Sequence, residues 1–205
     1  MQLAGKVLIA MPGMEDPRFA RSVVLVCAHS PESAMGLIVN KPRPDLTFAS
    51  ILGHLGLEPP PARGETAGER AADATGPGPV ASGAREIRVH FGGPVERGRG
   101  FVLHSADWRG GEATMEVPGG FRLTGTLDVL EALASGEGPT RALLALGYAG
   151  WGPGQVESEI LRNDWLISDV PPELIFLAPD AEKWTRALAV LGIDPITLSA
   201  SAGRA

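Results

Sequence analysis

The feature that most constrains the fold is a series of short apolar runs, rich in Val, Ile and Leu, each separated from the next by turn-forming residues. Runs of about four to eight residues bounded by Gly, Pro, Asp or Ser are typical of β-strands. None approaches the roughly 20 residues that a helix needs to cross a bilayer. Extended segments are predicted at Lys6–Met11, Ser22–His29, Ala34–Asn40, Ile87–Phe91, Gly100–His104, Ala113–Val117, Phe121–Thr124, Arg141–Tyr148, Trp165–Val170 and Glu173–Leu177.

Apolar residues also recur at helical spacing. They do so in Phe48–Leu55, with Asp45 as a candidate N-cap, and in Leu127–Leu133, where Gly136 is placed to end the helix. Two further helices are predicted: one has Pro153 at its first position and runs to about Asn163, and the other is capped by Asp180 and ends at Gly192. Strands and helices mix without a regular βαβ alternation, which predicts an α+β fold.

The segment from Glu58 to Arg85 has a different composition, rich in Pro, Ala, Gly, Arg and Glu and almost free of large apolar residues. It buries too little apolar surface to offset the entropy of ordering its backbone. A chain of 205 residues is long enough for one continuous core. We therefore predict a single domain over residues 1–205 with a mobile insertion at 58–85.

Charge and cysteine content indicate the compartment and the class of partner. A net charge of −6 disfavours direct binding to nucleic acid, which depends on Lys and Arg releasing counterions from phosphates. A single cysteine, Cys27, cannot form an intramolecular disulfide. Because the first ten residues also lack the long apolar segment and cleavage site of a secretory signal, we expect a cytoplasmic protein without a membrane segment.

Few residues have the spacing that catalysis or metal binding requires. Cys27 and His29 lie two apart on a predicted strand, as a nucleophile and its base would, but a cysteine in an apolar run is more often inert core. His90 and His104 flank a turn at Gly92–Gly93 without the spacing of metal ligands. No phosphate loop, dinucleotide fingerprint or serine-hydrolase elbow is found. The sequence predicts no catalytic residue, metal or cofactor.

The most informative stretch is Leu146–Gln155, in which four glycines interleave two aromatic residues between a predicted strand and a predicted helix. Gln155 and Glu159 follow one helical turn apart, so their polar groups share a face. Close backbone packing explains these residues, and so does a ligand pocket. Asn40, which ends an apolar strand before Lys41, either binds its own turn or adds an amide to such a pocket.

We expect the loop 147–154 to pack its backbone against the turn at 92–94, because glycines concentrate where side chains would obstruct a close approach. A concave site is predicted there, with Trp151 as one wall. A β-branched residue at position 150 is expected to disrupt folding or close the site. The candidate ligand-binding residues are Asn40, Gly92, Gly93, Gly150, Trp151, Gln155 and Glu159.

Together these stretches resemble the YqgE/AlgH family. The motifs that carry the resemblance are Leu8–Met14 with Asp16 and Phe19, Gly36–Pro42, Phe91–Val95, Gly100–Ser105, and Gly147–Gln155 leading to Trp165. The resemblance implies a cytosolic bacterial protein whose bifurcated sheet forms a pseudo-barrel with three to four helices. It supplies no catalytic residues. One branch of the family is named for an association with the regulation of alginate synthesis, which implies a regulatory role.

Three classes of function follow from these observations. A non-enzymatic regulatory or adaptor protein with a protein partner is favoured, because no complete catalytic constellation is present. An enzyme or small-ligand-binding protein that uses a pocket near Trp151 and Gln155 is the alternative. Direct DNA regulation ranks last, because the chain is acidic and shows no helix-turn-helix.

Overall fold

The computed structural model describes residues 2–57, 87–195 and 198. The insertion predicted at 58–85 lies outside the described residues. The strands are β1 (Val7–Ala10), β2 (Val23–His29), β3 (Ala34–Ile38), β4 (Val89–Phe91), β5 (Val95–Ser105), β6 (Thr114–Val117), β7 (Phe121–Thr124), β8 (Ala142–Trp151) and β9 (Trp165–Ser168). The helices are α1 (Phe48–His54), α2 (Leu127–Ser135), α3 (Gln155–Leu161), α4 (Pro172–Phe176) and α5 (Asp180–Val190).

The strands form one curled sheet, and the fold is the α+β half-barrel that the sequence and its resemblance predict. The order across the sheet is β6-β7-β5-β8-β3-β2-β1-β9, and every pair along this path is antiparallel. Only β4 lies off the path, paired parallel to β8. The long strand β8 is therefore the centre of the sheet.

The sheet divides at β8. Its first half pairs with β4 through Leu144–Leu146, and its second half pairs with β3 through Ala149–Trp151. Gly92, just after β4, links the two branches, because it donates to the Leu146 carbonyl at 2.8 Å and accepts from the Ile38 amide at 2.9 Å. β4 is thus a wedge between β3 and β8, which makes the sheet bifurcated.

Alternation along the strands gives the sheet two buried faces. In β1, Val7 and Ile9 join the core inside the curl, whereas Leu8 and Ala10 join a second core on the outer face. The inner core is covered by α4 and α5, and Trp184 of α5 donates to the Ala10 carbonyl at 2.8 Å. Helix α3 packs on the outer core beside β9, and α1 and α2 cover a third cluster beyond β4 and β5.

Five helices are found in the described residues instead of three to four, because one predicted extended segment is helical. The segment Glu173–Leu177 forms α4, which starts at Pro172. Its three successive apolar residues, Leu174–Phe176, are all buried against the barrel. Three consecutive buried residues form the same apolar run as a buried strand, so periodicity alone did not separate the two.

Three helix starts also differ from the prediction, and one of them is that of α5, whose N-cap is Pro179 while Asp180 is its first helical residue. Thr47, not Asp45, caps α1, because its side chain accepts from the Ser50 amide while the Ser50 hydroxyl accepts from the Thr47 amide. Asp45 instead pairs with Arg43 at 2.6 Å. Pro153 lies before α3, whose N-cap is Gly154 in the left-handed conformation.

The expected contact between the two glycine segments is present, although residues 147–151 belong to β8 and are not a loop. A Cβ atom on Gly92 would overlap the carbonyl oxygen of Gly147 and lie 2.9 Å from the Ala145 Cβ. Gly147 itself has a φ of 72°, which favours glycine, at the point where β8 passes from β4 to β3. The fork therefore requires glycine on both of its sides.

Gly92→Ala is predicted to destabilise the protein by about 3 kcal/mol or more, because the added methyl group meets backbone that cannot move without breaking the fork. Gly98→Ala is the matched control: a Cβ there meets no atom within 4 Å, so its unfolding midpoint in urea should match that of wild type. A Gly92→Ala variant with a wild-type urea midpoint would show that the close approach is not needed.

Candidate functional site

The polar residues predicted beside Trp151 form a closed hydrogen-bond network around Glu159. Its Oε2 accepts from the indole nitrogens of Trp151 and Trp165, each at 2.9 Å, and its Oε1 accepts from Gln155 Nε2 at 2.9 Å. Gln155 Oε1 in turn accepts from the Gly152 amide at 3.0 Å. The network ties β8, α3 and β9 together, so these side chains are directed at one another.

Asn40 is likewise engaged within the protein. Its Oδ1 accepts from the Val23 amide at 2.8 Å, and its Nδ2 donates to the Arg21 carbonyl at 2.8 Å. Arg21 has a φ of 54°, an uncommon conformation for a residue with a side chain, and the side chain of Asn40 binds its carbonyl group and the amide group two residues later. The side chain fixes the start of β2.

A groove of about 420 Å³ does adjoin Trp151, on the side away from the Glu159 network. Two of the seven predicted site residues, Gly150 and Trp151, line it; Asn40, Gly92, Gly93, Gln155 and Glu159 do not. A groove therefore adjoins the glycine-rich strand at Gly150 and Trp151, but neither the turn at Gly92–Gly93 nor the predicted polar residues line it. The groove is lined mainly by Met35, Arg99, Phe101, Tyr148, Gly150 and Trp151.

The surface of this groove is aromatic, with one cationic side chain. The rings of Phe101 and Tyr148 meet edge to face with centroids 5.9 Å apart, and the Arg99 guanidinium lies 5.0 Å from the centre of the Phe101 ring. β5 loses its register with β8 between Val95 and Gly100, and the residues between them project into solvent. That bulge brings Arg99 over the aromatic pair.

The backbone of Gly150 differs from the expected one, because it does not adopt a conformation that only glycine favours. Its φ is outside the left-handed region, and a Cβ there would meet only side-chain atoms, 3.3 Å from Tyr148 Cε2 and 3.7 Å from Val95 Cγ2. A valine is favoured in a strand and would enter the open groove. Gly150→Val should therefore leave the fold intact and fill the groove, which is the second of the two outcomes that the sequence predicted.

Sequence patterns did not identify a second polar centre, in which Asp180 at the start of α5 binds three other side chains. Its carboxylate accepts from Lys183 Nζ at 2.7 Å, from Arg88 at 2.8 Å and from His90 Nε2 at 3.0 Å. Lys183 is fully buried and also donates to the Val39 carbonyl at 2.7 Å. Of this centre only the i, i+3 spacing of Asp180 and Lys183 is visible in the sequence, because Arg88 and His90 are about ninety residues away along the chain.

Hydrogen bonds decide the charge state of this centre. Burial by itself would raise the pKa of Asp180, but the hydrogen bonds from His90 and Lys183 outweigh it and hold that pKa well below its usual value. Burial lowers the pKa of Lys183, and the bond to Asp180 opposes this effect. The carboxylate therefore stays ionised and joins α5 to β4 through His90, while Lys183 of the same helix binds the Val39 carbonyl.

The side chains of His90 and His104 are both engaged within the protein. The His90 ring meets the Asp180 carboxylate through Nε2 and the Arg88 carbonyl, at 3.2 Å, through Nδ1, so both nitrogens face internal acceptors. His104 does not meet His90: it lies on the other edge of β8 and contacts Thr124 at 2.9 Å. In the part of the chain that the structure describes, no three His, Cys, Asp or Glu side chains converge on a metal-sized site.

Cys27 and His29 lie in different surroundings. Cys27 lies in the core inside the curl, and burial raises the pKa of its thiol to about 12. His29 lies beyond a register shift in β2 and contacts Glu157 of α3 at 2.8 Å. A thiol so difficult to ionise is a poor nucleophile, and the two side chains do not form a pair.

Beside the Asp180 centre is a cleft of about 290 Å³ between β4, the segment after α2, and α4. Ile87, Leu133 and Phe176 form apolar walls. Arg88 and Arg141 are the charged side chains that line it, and His90 lies at its base. Among the described residues, none of those lining the cleft is acidic.

Comparison with known proteins agrees with this architecture. Residues 7–196 match the model of the AlgH-like family. The chain belongs to the AlgH-like family. A UPF0301 protein from Cereibacter sphaeroides is 55% identical over 205 residues, covering 100% of both chains, and one from Rhodospirillum rubrum is 44% identical over 203 residues, covering 99% of this chain and 94% of the relative.

Two solved structures share the fold. The solution structure of the AlgH protein from Pseudomonas aeruginosa superposes with a TM-score of 0.70 at 37% identity, over 98% of this chain and 94% of that one. A crystal structure from Corynebacterium diphtheriae superposes with a TM-score of 0.65 at 20% identity, over 92% and 86% of the two chains. Among the helices described here, none has the length and apolar character needed to span a membrane.

Asp180→Asn is predicted to cost about 3–5 kcal/mol at neutral pH, because it leaves the buried Lys183 without its counterion. Since the folded pKa of Asp180 is lowered, its contribution is present above the unfolded pKa of about 4 and is lost as the pH falls below that value. Urea unfolding of wild type and variant from pH 7 to pH 2 should show the difference shrinking in the acid range.

Asp45→Asn is the matched control, since it breaks an exposed pair with Arg43 and should leave the unfolding midpoint unchanged at every pH. A difference between wild type and Asp180→Asn that persists unchanged down to pH 2 would show that Asp180 is not ionised in the folded protein.

Proposed function

We propose that this AlgH-like protein is a cytoplasmic, non-enzymatic regulatory or adaptor protein, and that it recognises a protein partner through the groove beside β8. The observation that carries the proposal is the aromatic pair in the lining of the groove, buried Phe101 and half-buried Tyr148, with the Arg99 guanidinium over the Phe101 ring. Aromatic and arginine side chains in a recess are the residue types that dominate binding energy at protein interfaces.

The groups nearest the groove that could perform chemistry support binding over catalysis. Both oxygens of Glu159 and the amide of Gln155 are used to hold α3, β8 and β9 together. In the same way, the nitrogens of His90 face internal acceptors, and Cys27 has a raised pKa inside the core. These polar groups are parts of the scaffold that shapes the groove.

The lining of the groove specifies the chemistry of the partner. Met35 adapts its shape readily to apolar side chains, and Tyr148 offers both a ring face and a hydroxyl. Arg99 makes a bridge of 3.2 Å to Glu96 in which both side chains are about half exposed, so a stronger acceptor can take its place. The expected partner therefore inserts an apolar or aromatic side chain that is flanked by an acidic residue.

The test is affinity capture from lysate with folded wild type, Arg99→Glu and Gly150→Val. Wild type should retain a stoichiometric protein, and each variant should lose it by about tenfold or more, through charge reversal in one case and a filled groove in the other. Arg162→Glu is the matched control, because Arg162 is also exposed and paired with a neighbouring acid, but lies outside the groove.

Recovery of the same protein by wild type and both groove variants would contradict the proposed surface. A small molecule in the same groove is the second candidate, favoured by its volume of about 420 Å³. A metabolite that raises the melting temperature of wild type but not of Gly150→Val would assign the groove to a small ligand instead of a protein.

A further inference from the structure

We propose that the cleft beside the Asp180 centre binds a small organic anion, with Arg88 and Arg141 holding a carboxylate or phosphate head group and the apolar walls holding the rest of the molecule. This site is separate from the groove, since the two share no lining residue. Strand β8 contributes to both, but through opposite ends: Ala142 and Leu143 line the cleft, and Tyr148, Gly150 and Trp151 line the groove. Neither side chain was singled out by sequence patterns.

The charge of the cleft selects for an anion. Both of its charged lining side chains are arginines, and no acidic residue is among those that line it in the described part of the chain. Arginine presents paired N–H groups that match the two oxygens of a carboxylate or phosphate. This positive charge is a local property of the cleft, whereas the chain as a whole carries a net charge of −6.

Arg88 is held in position before any ligand arrives. It donates to Asp180 at 2.8 Å and to the Phe176 carbonyl at 3.4 Å. These two bonds leave other N–H groups of the guanidinium for a ligand. Since Asp180 is also bound by Lys183 and His90, its negative charge is largely offset within the cluster. His90 lines the cleft and helps to position Arg88, because it binds the same Asp180 carboxylate.

Arg141 is available because its present partner is weakly held. It pairs with Glu173 at 2.7 Å, but the side chains are 32% and 56% exposed, and exposed pairs contribute little to stability. A ligand oxyanion inside the cleft can take the place of Glu173 at small cost. Glu173 therefore competes with the ligand, which gives a variant expected to improve binding.

The walls indicate that the ligand has an apolar body. Ile87, Leu133 and Phe176 line the cleft next to the two arginines, and a volume of about 290 Å³ suits a small molecule and not a polymer. An inorganic ion would leave these walls exposed to water. The two arginines and three apolar residues together specify an amphipathic acid.

Titration calorimetry with benzoate as the probe tests the site in the full-length protein. Benzoate should bind wild type, Arg141→Gln should weaken it by about tenfold or more, and Glu173→Gln should tighten it severalfold. The neutral isostere benzamide should not bind. Arg99→Gln is the control for a cation elsewhere, in the groove, and should bind benzoate as wild type does.

Phenyl phosphate identifies the head group: binding stronger than that of benzoate, with the same response to Arg141→Gln and Glu173→Gln, supports the site and assigns a phosphate. Three results overturn the proposal. They are the absence of binding by either aromatic anion, equal binding by benzamide, and binding of inorganic phosphate as strong as that of phenyl phosphate, since the last leaves no role for the apolar walls.

Discussion

The close backbone approach between Gly92 and Gly147 is the constraint on which the rest of the structure depends. It lets the short strand β4 enter as a wedge, so that β8 can pair with β4 along one half and with β3 along the other. Gly147, with a φ of 72°, lies where β8 leaves β4 and begins to pair with β3. The Asp180 centre lies next to this junction along the chain, because His90 comes two residues before Gly92.

The Glu159 network and the Asp180 centre are stabilised in the same way. Glu159 is satisfied by two indoles and an amide, and Asp180 by an ammonium, a guanidinium and an imidazole. Buried carboxylates cost little only when they are fully partnered, so each centre fixes one helix to the sheet at a single position. The groove and the cleft therefore have rigid walls, and rigid walls allow a binding surface to be selective.

The sequence predicted most of the secondary structure because the strands are buried on alternate faces and bounded by glycine and proline. It also predicted the approach of the two glycine segments, since residues without side chains are needed where backbones meet. It failed at α4, whose buried apolar run has no helical period, and at Gly150, where glycine content alone did not reveal the backbone conformation. The Asp180 centre was hidden because its members are distant in sequence and lack a local spacing rule.

In our proposal the Phe101 and Tyr148 groove, and not the Glu159 network, faces the partner. Site-specific photo-cross-linking in living cells tests it most directly, with a photoreactive amino acid placed at Met35 in the groove or at Leu161, which is 83% exposed on α3. A discrete cross-linked protein is expected from position 35 and not from position 161. The same product from both positions, or a product from position 161 alone, would contradict it.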